Sequence, residues 1–350
     1  MFNRLWKTVR RDQRGITGLE TAIILIAFVV VASVFAFTVL SAGIFSAEKS
    51  KEAIHSGLEQ ARGSMEMVGS IKATGVTADE LDDADDAWTA SANVTGSTDT
   101  TDRKEGDASV EFAIQALFTT GLVAYENLGS TANISDHYSV RLWIKSDTNL
   151  AANVLQVVLD DTAGCGSPLE TLNISAITAA DGWTRKQLKL SSPSGLTAVA
   201  CVGLNAASDP ATPTVNVDLL EAPGELTQLN FLVGNALDGE AVDLTITSDA
   251  DSDGLLSDEA TKNHVMYVDY VDKNQRVLDI TWSKTQMGKG DSDDLLEPGE
   301  KMRITVNLTA LSPMPVDYTN FSINLRPEGA SAITIERTVP AVVDVAMDLN

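Results

Sequence analysis

Three acids at alternate positions open the segment Asp249-Ala-Asp251-Ser-Asp253-Gly254-Leu255-Leu-Ser-Asp258-Glu259. Carboxylates spaced by two converge on one side of a tight turn. The glycine permits that turn, and hard divalent cations take such oxygen donors. In a helix-flanked calcium loop the twelfth position is a bidentate glutamate; here it is Ala260. What remains is a strand-flanked loop, in which the Leu255 carbonyl and Asp258 or Glu259 complete the shell around a structural Ca2+. A plain acidic turn in water is the alternative. A second cluster, Asp291-Ser-Asp293-Asp294-Leu-Leu-Glu297, reads as structural. Cys165 and Cys201 lie far apart and form no metal-ligand pattern. In an exported chain they pair as a disulfide, the alternative being two buried thiols. The three histidines (His55, His137, His264) fall in separate units with no nucleophile elbow, zinc spacing or phosphate loop around them. The chain therefore reads as non-enzymatic.

A different chemistry is written at the N-terminus, in Arg14-Gly15-Ile16-Thr-Gly18-Leu-Glu20. A basic leader (Arg4, Lys7, Arg10, Arg11, Arg14) ends at Gly15, and nothing from Thr21 to Ala47 is charged. At about 1.5 Å per residue that run makes a helix of roughly 40 Å, enough to cross a bilayer core of about 30 Å. No small-x-small site for secretory cleavage follows it. Glu20 stands alone among apolar residues; the plain reading is an acid favoured by the helix dipole near the N-terminus.

The junction resembles the class III signal of type IV pilins and, more closely, of archaellins, the subunits of the archaeal swimming filament. The resemblance continues through AIILIAFVVVASVFAFTVLSAGIFSAEKSKE. It implies that a prepilin-type peptidase cuts between Gly15 and Ile16, leaving Gly18 third and Glu20 fifth in the mature chain. It also implies that Glu20 pairs with the new amine of Ile16 on a neighbouring copy. Further implications are a membrane-held precursor, a membrane assembly platform with a motor ATPase, and a homopolymeric extracellular filament that serves swimming motility. An adhesive type IV-like pilin that binds surface glycans through a jelly-roll domain is the alternative, and a membrane-anchored enzyme with a carbohydrate-binding module is a remoter one.

Elements must place these residues. Ala32 and Ala36, with Ser33 beside them, give the helix a face of small side chains that lets helices approach closely. Beyond Ser46, Ile54, Leu58, Ala61, Met65 and Val68 recur at spacings of four and three, which predicts one helix from Ile16 to about Ile71. Such a rod cannot bury its own apolar surface and needs copies of itself. Glycine and acid then break the pattern, and the periodicity changes to two.

Strands are predicted at 108–118, 121–127, 138–145, 153–160, 183–190, 197–204 and 214–220, forming a first all-β unit. EGDASVEF, VRLWIKSD, DGWTRKQLKL and VNVDLL within it resemble the jelly-roll of carbohydrate-binding modules. That likeness implies core positions for Trp143 and Trp183 and a structural calcium near Glu105, Asp107 and Asp218. A second β unit is predicted at 226–233, 240–248, 264–271, 276–283, 301–309, 319–326 and 331–338. Here DLLEPGEKMRITVNL and LRPEGASAITIERTVP resemble the archaellin globular domain. The expected fold class is α+β: a signal peptide at 1–15, a filament-core helix at 16–74, an inserted jelly-roll at 75–222 and an archaellin-type β-sandwich at 223–350.

With 49 acids against 25 bases, five of them in the leader, the surface repels nucleic acid. Sequons at Asn93, Asn133, Asn173, Asn307 and Asn320 are candidate glycosylation sites.

Overall fold

The computed structural model describes residues 16–62, 65–235, 240–288, 290–328 and 330–349. The signal segment, with Arg14 and Gly15, lies outside the described residues. The chain divides into two compact units, one ending at Arg62 and one holding everything after it.

The first unit is α1 (Ile16–Arg62), an unbroken helix about 70 Å long. Its apolar side chains are exposed on every side, with Phe28 at 74% and Phe37 at 71%. A helix that is hydrophobic all round is made for an apolar surrounding, lipid or other helices. The hydroxyls within it are satisfied internally: Ser33 Oγ donates to the Val30 carbonyl and Thr38 Oγ1 to that of Phe35, each at 2.8 Å.

The expected continuation of this helix to about Ile71 is corrected. The helix ends at Arg62, and the next described element is a strand, β1 (Met65–Val76). Met65, Ile71, Ala73 and Gly75 are buried in it. Six residues separate Met65 from Ile71, a multiple of the strand period, and Gly69 sits at φ +86° within an irregularity between Val68 and Lys72. Pairing with a distant strand decides the matter here, over the local helical pattern.

The inserted sandwich follows: β2 (Asp79–Asp82), β3 (Thr89–Ala90), β4 (Val94–Asp99), β5 (Ser109–Ile114), β6 (Gly121–Ala132), β7 (Ser139–Ser146), β8 (Leu155–Asp160), β9 (Glu170–Asn173), β10 (Thr184–Lys189), β11 (Val199–Ala206) and β12 (Thr214–Ala222). Its two antiparallel sheets run β10-β7-β12-β5-β4, with β2 added on β12, and β3-β6-β11-β8-β9. Between them lies one core around Phe112, Ile144, Leu159, Leu204 and Val217.

The second sandwich comprises β13 (Glu225–Asn235), β14 (Val242–Asp243), β15 (Met266–Asp272), β16 (Arg276–Val277), β17 (Trp282–Met287), β18 (Leu295–Leu296), β19 (Lys301–Asn307), β20 (Asn320–Pro327), β21 (Ile333–Thr338) and β22 (Met347–Leu349). Its larger sheet has the order β17-β19-β13-β1-β22 and faces β16-β15-β20-β21. Ile71, Phe231, Tyr270, Trp282 and Leu325 fill the space between. The strand preceding the insert therefore belongs to the sheet that follows it.

Of the expected strands that come out shorter, such as 108–118 reduced to β5, two are cut by a local turn. The strand expected at 240–248 is reduced to β14, because Asp243 Oδ1 accepts the N–H and hydroxyl of Thr245 in a local turn. The one expected at 276–283 splits at Asp279, which adopts φ +57° and donates its N–H to Asp269 Oδ1.

Candidate functional site

The acidic loop between β14 and β15 brings Asp249, Asp251 and Asp253 together, with one carboxylate oxygen of each within 4.8 Å of the others. The turn is held by its own side chains. Asp249 Oδ2 accepts the N–H of Gly254 at 3.0 Å and the Thr281 hydroxyl at 3.1 Å, and Asp253 Oδ1 accepts the N–H of Leu255 at 2.8 Å. Gly254 is at φ +86°, and a Cβ there would meet that of Ala310 at 2.6 Å, so only glycine fits. Asp249 Oδ1 is buried with no hydrogen-bond partner. Three carboxylate oxygens this close repel one another unless a cation lies between them.

The other expected ligands are placed differently. Glu259 Oε1 accepts the N–H of Ala250 at 2.6 Å, and Asp258 is exposed outside the cluster of three. Leu255 forms a bridge to Ile280 that ties the loop to the sandwich. The second acidic run is engaged in structure, with Asp294 paired to Lys284 at 2.6 Å and Leu296 of β18 opposite Val242 of β14.

In the inserted sandwich, Asp218 on β12 is fully buried. Its Oδ2 accepts the N–H groups of Lys104 and Glu105 at 2.5 and 3.1 Å, while Oδ1 has no partner. Burial holds this carboxyl above the ordinary carboxylate range, against the pull of those two bonds. Asp107 is exposed, and its backbone N–H donates to Asp85 at 2.8 Å. Trp143 and Trp183 are outside the core, contrary to expectation. Lys104 and Arg185 each stand 5.4 Å from the ring centre of Trp143, and Trp183 Nε1 donates to Asp102 at 2.6 Å. Trp88, stacked obliquely on Phe112, takes the core place.

Cys165 and Cys201 form a disulfide, with Cα atoms 5.5 Å apart. Asn93, Asn133, Asn173 and Asn320 are exposed; Asn307 is half-buried.

Sequence reasoning missed the joint between the sandwiches. Glu225, at the start of β13, is fully buried and accepts the N–H of Tyr138 at 2.6 Å and the Ser139 hydroxyl at 2.5 Å. Arg141 reaches Glu221 at 2.6 Å and also Asp317 of the second sandwich. His137, buried, lies 3.2 Å from both Asp79, at the start of β2, and the carbonyl of Pro223, just past the end of β12. No spacing in the chain signals these pairings, which join residues as much as 176 positions apart.

Equally unannounced is a buried line of Thr247, His264 and Asp279, with contacts of 2.9 and 3.1 Å. The Thr247 hydroxyl already accepts the N–H groups of Asn263 and His264. With all three residues buried, the line ties the loop down and presents no accessible nucleophile.

Comparisons with known proteins bear on the N-terminal quarter. Residues 15–101 match the family model described as archaeal-type flagellin. "Probable flagellin 1" of Archaeoglobus fulgidus is 51% identical over 70 residues, 20% of this chain and 34% of that protein. The chain thus spans about a third of the length of the first curated relatives it matches. Among solved structures, the archaeal flagellum of Methanospirillum hungatei is 16% identical, covering 93% of this chain and 99% of that one, with a TM-score of 0.36. A family 30 carbohydrate binding module is 16% identical over 42% of this chain and 98% of that one, with a TM-score of 0.27. Residues 15–101, then, are similar in sequence to the archaeal-type flagellins.

Proposed function

We propose that this chain is a non-enzymatic structural subunit of an archaellum-type extracellular filament, polymerising through α1 and serving swimming motility. One observation carries the reading: α1 is uncharged from Thr21 to Ala47 and exposes apolar side chains on every side, within the residues that match the archaeal-type flagellin family model. The precursor waits in the membrane, is cut after Gly15 by a prepilin-type peptidase, and joins copies of itself in a bundle of helices. Head-to-tail contacts of one kind of subunit, which do not close, give an open helical polymer. Moving α1 from lipid to a helix bundle exchanges one apolar medium for another and releases little hydrophobic free energy. Extraction therefore requires an assembly platform driven by a motor ATPase.

In the same reading the loop at 249–253 holds a structural Ca2+, which relieves the repulsion among its three carboxylates. The donors supporting this are Asp249, Asp251 and Asp253, with the unpartnered Asp249 Oδ1 foremost.

N-terminal sequencing of purified filaments tests the assembly reading. The mature chain is expected to begin at Ile16, and Gly15→Val to leave uncut precursor in the membrane with no filaments. Filaments beginning at Met1 would overturn it.

A further inference from the structure

An open cleft of about 490 Å3 lies between β10 of the inserted sandwich and the segments around 273–274 and 311–314 of the second. Its charge runs against the rest of the molecule. The chain carries about two acids for every base, yet Arg185, Lys186, Lys189 and Lys273 line this stretch and no aspartate or glutamate does; acids enter only where the cleft continues past Lys273 and Asn274, at Asp272 and Asp317. Arg185 is already engaged with Glu221 at 3.0 Å. The three lysines are not. Lys186 Nζ donates to Ser175 Oγ and the Ala176 carbonyl, at 3.1 and 2.7 Å, and meets no carboxylate. Lys189 and Lys273 form no ion pair among the described residues. Both sandwiches contribute, and their relative placement is fixed by the Glu225 and Arg141 bonds, so the site exists only because the two are joined.

We propose that this cleft binds an acidic saccharide, one or two sugar rings carrying a carboxylate. The ammonium groups supply unspent positive charge in a low-volume cleft, where field lines focus. The volume lies in the range of small-molecule sites, about 300–1,000 Å3. The neutral lining fits a hydroxylated ring: Asn274 and Ser312 offer donors and acceptors, while Tyr138 and Pro313 offer apolar surface to the ring's C–H face. The acidic surface around the cleft repels an extended polyanion and admits a short one. The proposal is independent of whether the chain forms swimming filaments.

Calorimetry on the full-length chain in neutral detergent at about 50 mM salt tests it, with digalacturonate, neutral galactobiose and sodium sulfate as titrants. Digalacturonate should bind, and weaken at least about tenfold at about 500 mM salt as charges are screened. Galactobiose should not bind. Lys273→Glu and Lys189→Glu should each weaken digalacturonate at least about tenfold with circular dichroism unchanged, and Lys273→Arg should retain it. Absence of digalacturonate binding at low salt would overturn the proposal, as would binding that survives both charge reversals. Sulfate binding as tightly as digalacturonate would overturn the saccharide assignment in favour of a bare oxyanion site.

Discussion

Val76 of β1 stands opposite Glu225 of β13, the last registered pair of an antiparallel couple. Antiparallel neighbours need only a two-residue turn to join them; here residues 77–224 take that turn's place. The whole inserted sandwich hangs from the tip of a hairpin that belongs to the second. Gly75 and Gly224 make the junction possible: a Cβ would lie 2.4 Å from Val343 at the first and 2.9 Å from it at the second.

Replacing residues 77–224 with Asn-Gly should therefore close β1 and β13 into an ordinary hairpin. The shortened chain is expected to fold and to assemble into thinner filaments, seen by electron microscopy. It should melt below the parent, because Glu225 loses Tyr138 and Ser139 and Asp317 loses Arg141. A folded but non-assembling product would show that the insert carries lattice contacts.

Small residues on α1 should control helix approach. Ala36→Phe is expected to abolish filaments while leaving the melting of the β sandwiches unchanged, since α1 is a compact unit of its own. Normal filaments from this variant would show that the packed face lies elsewhere on α1.

Asp82 supplies a signed pH effect. Burial pushes its carboxyl up to about 6, against the Trp88 indole and Ala84 N–H groups that donate to it. A carboxyl raised on folding is neutral in both states at low pH, so its contribution is fully present below about pH 4. That contribution is lost as pH rises through about 6, because the unfolded chain ionises first. The loss is up to about 2 kcal/mol after allowance for the partly exposed side chain. Asp82→Asn should remove this decline and melt higher than the parent at pH 7. Parallel curves for parent and variant from pH 4 to 7 would refute the assignment.

Joining Cys165 to Cys201 closes a loop with a sequence separation of 36. Loop-closure entropy puts its worth at about 4 kcal/mol by the chain-entropy model. The double variant Cys165→Ala/Cys201→Ala should lower the denaturant midpoint of the inserted sandwich accordingly. Thiol titration of the unfolded parent should find no free cysteine before reduction.

Chelation tests the acidic loop. If a cation binds Asp249, Asp251 and Asp253, exhaustive chelation should lower the filament melting temperature, since an ion at about 100 times its Kd stabilises by about 2.7 kcal/mol. Asp251→Ala should abolish that sensitivity. Coincident melting curves with and without chelator would leave an acidic turn stabilised only by its own hydrogen bonds.

What the sequence settled by itself is local chemistry. An uncharged run from Thr21 to Ala47 has to be a helix, because a strand of that length has no place in a domain and every backbone group must be satisfied within the segment. Alternation marks β5, β7, β13 and β20 because each turns one row of apolar side chains into a sandwich core. The three aspartates converge because their spacing is that of a turn. The end of α1 was locally ambiguous: Met65 and Val68 continue a helical stripe while Met65 and Ile71 share a strand face, and the glycine after Arg62 was the stop signal. Its resolution lies in β13, about 150 residues downstream, which supplies the hydrogen bonds that β1 takes up. Tertiary structure alone decided the joint as well. Glu225, Arg141, Asp317 and His137 read singly as surface polar residues. They become buried partners only when the two sandwiches meet, because an ion pair out of water depends on which charges arrive at the same place.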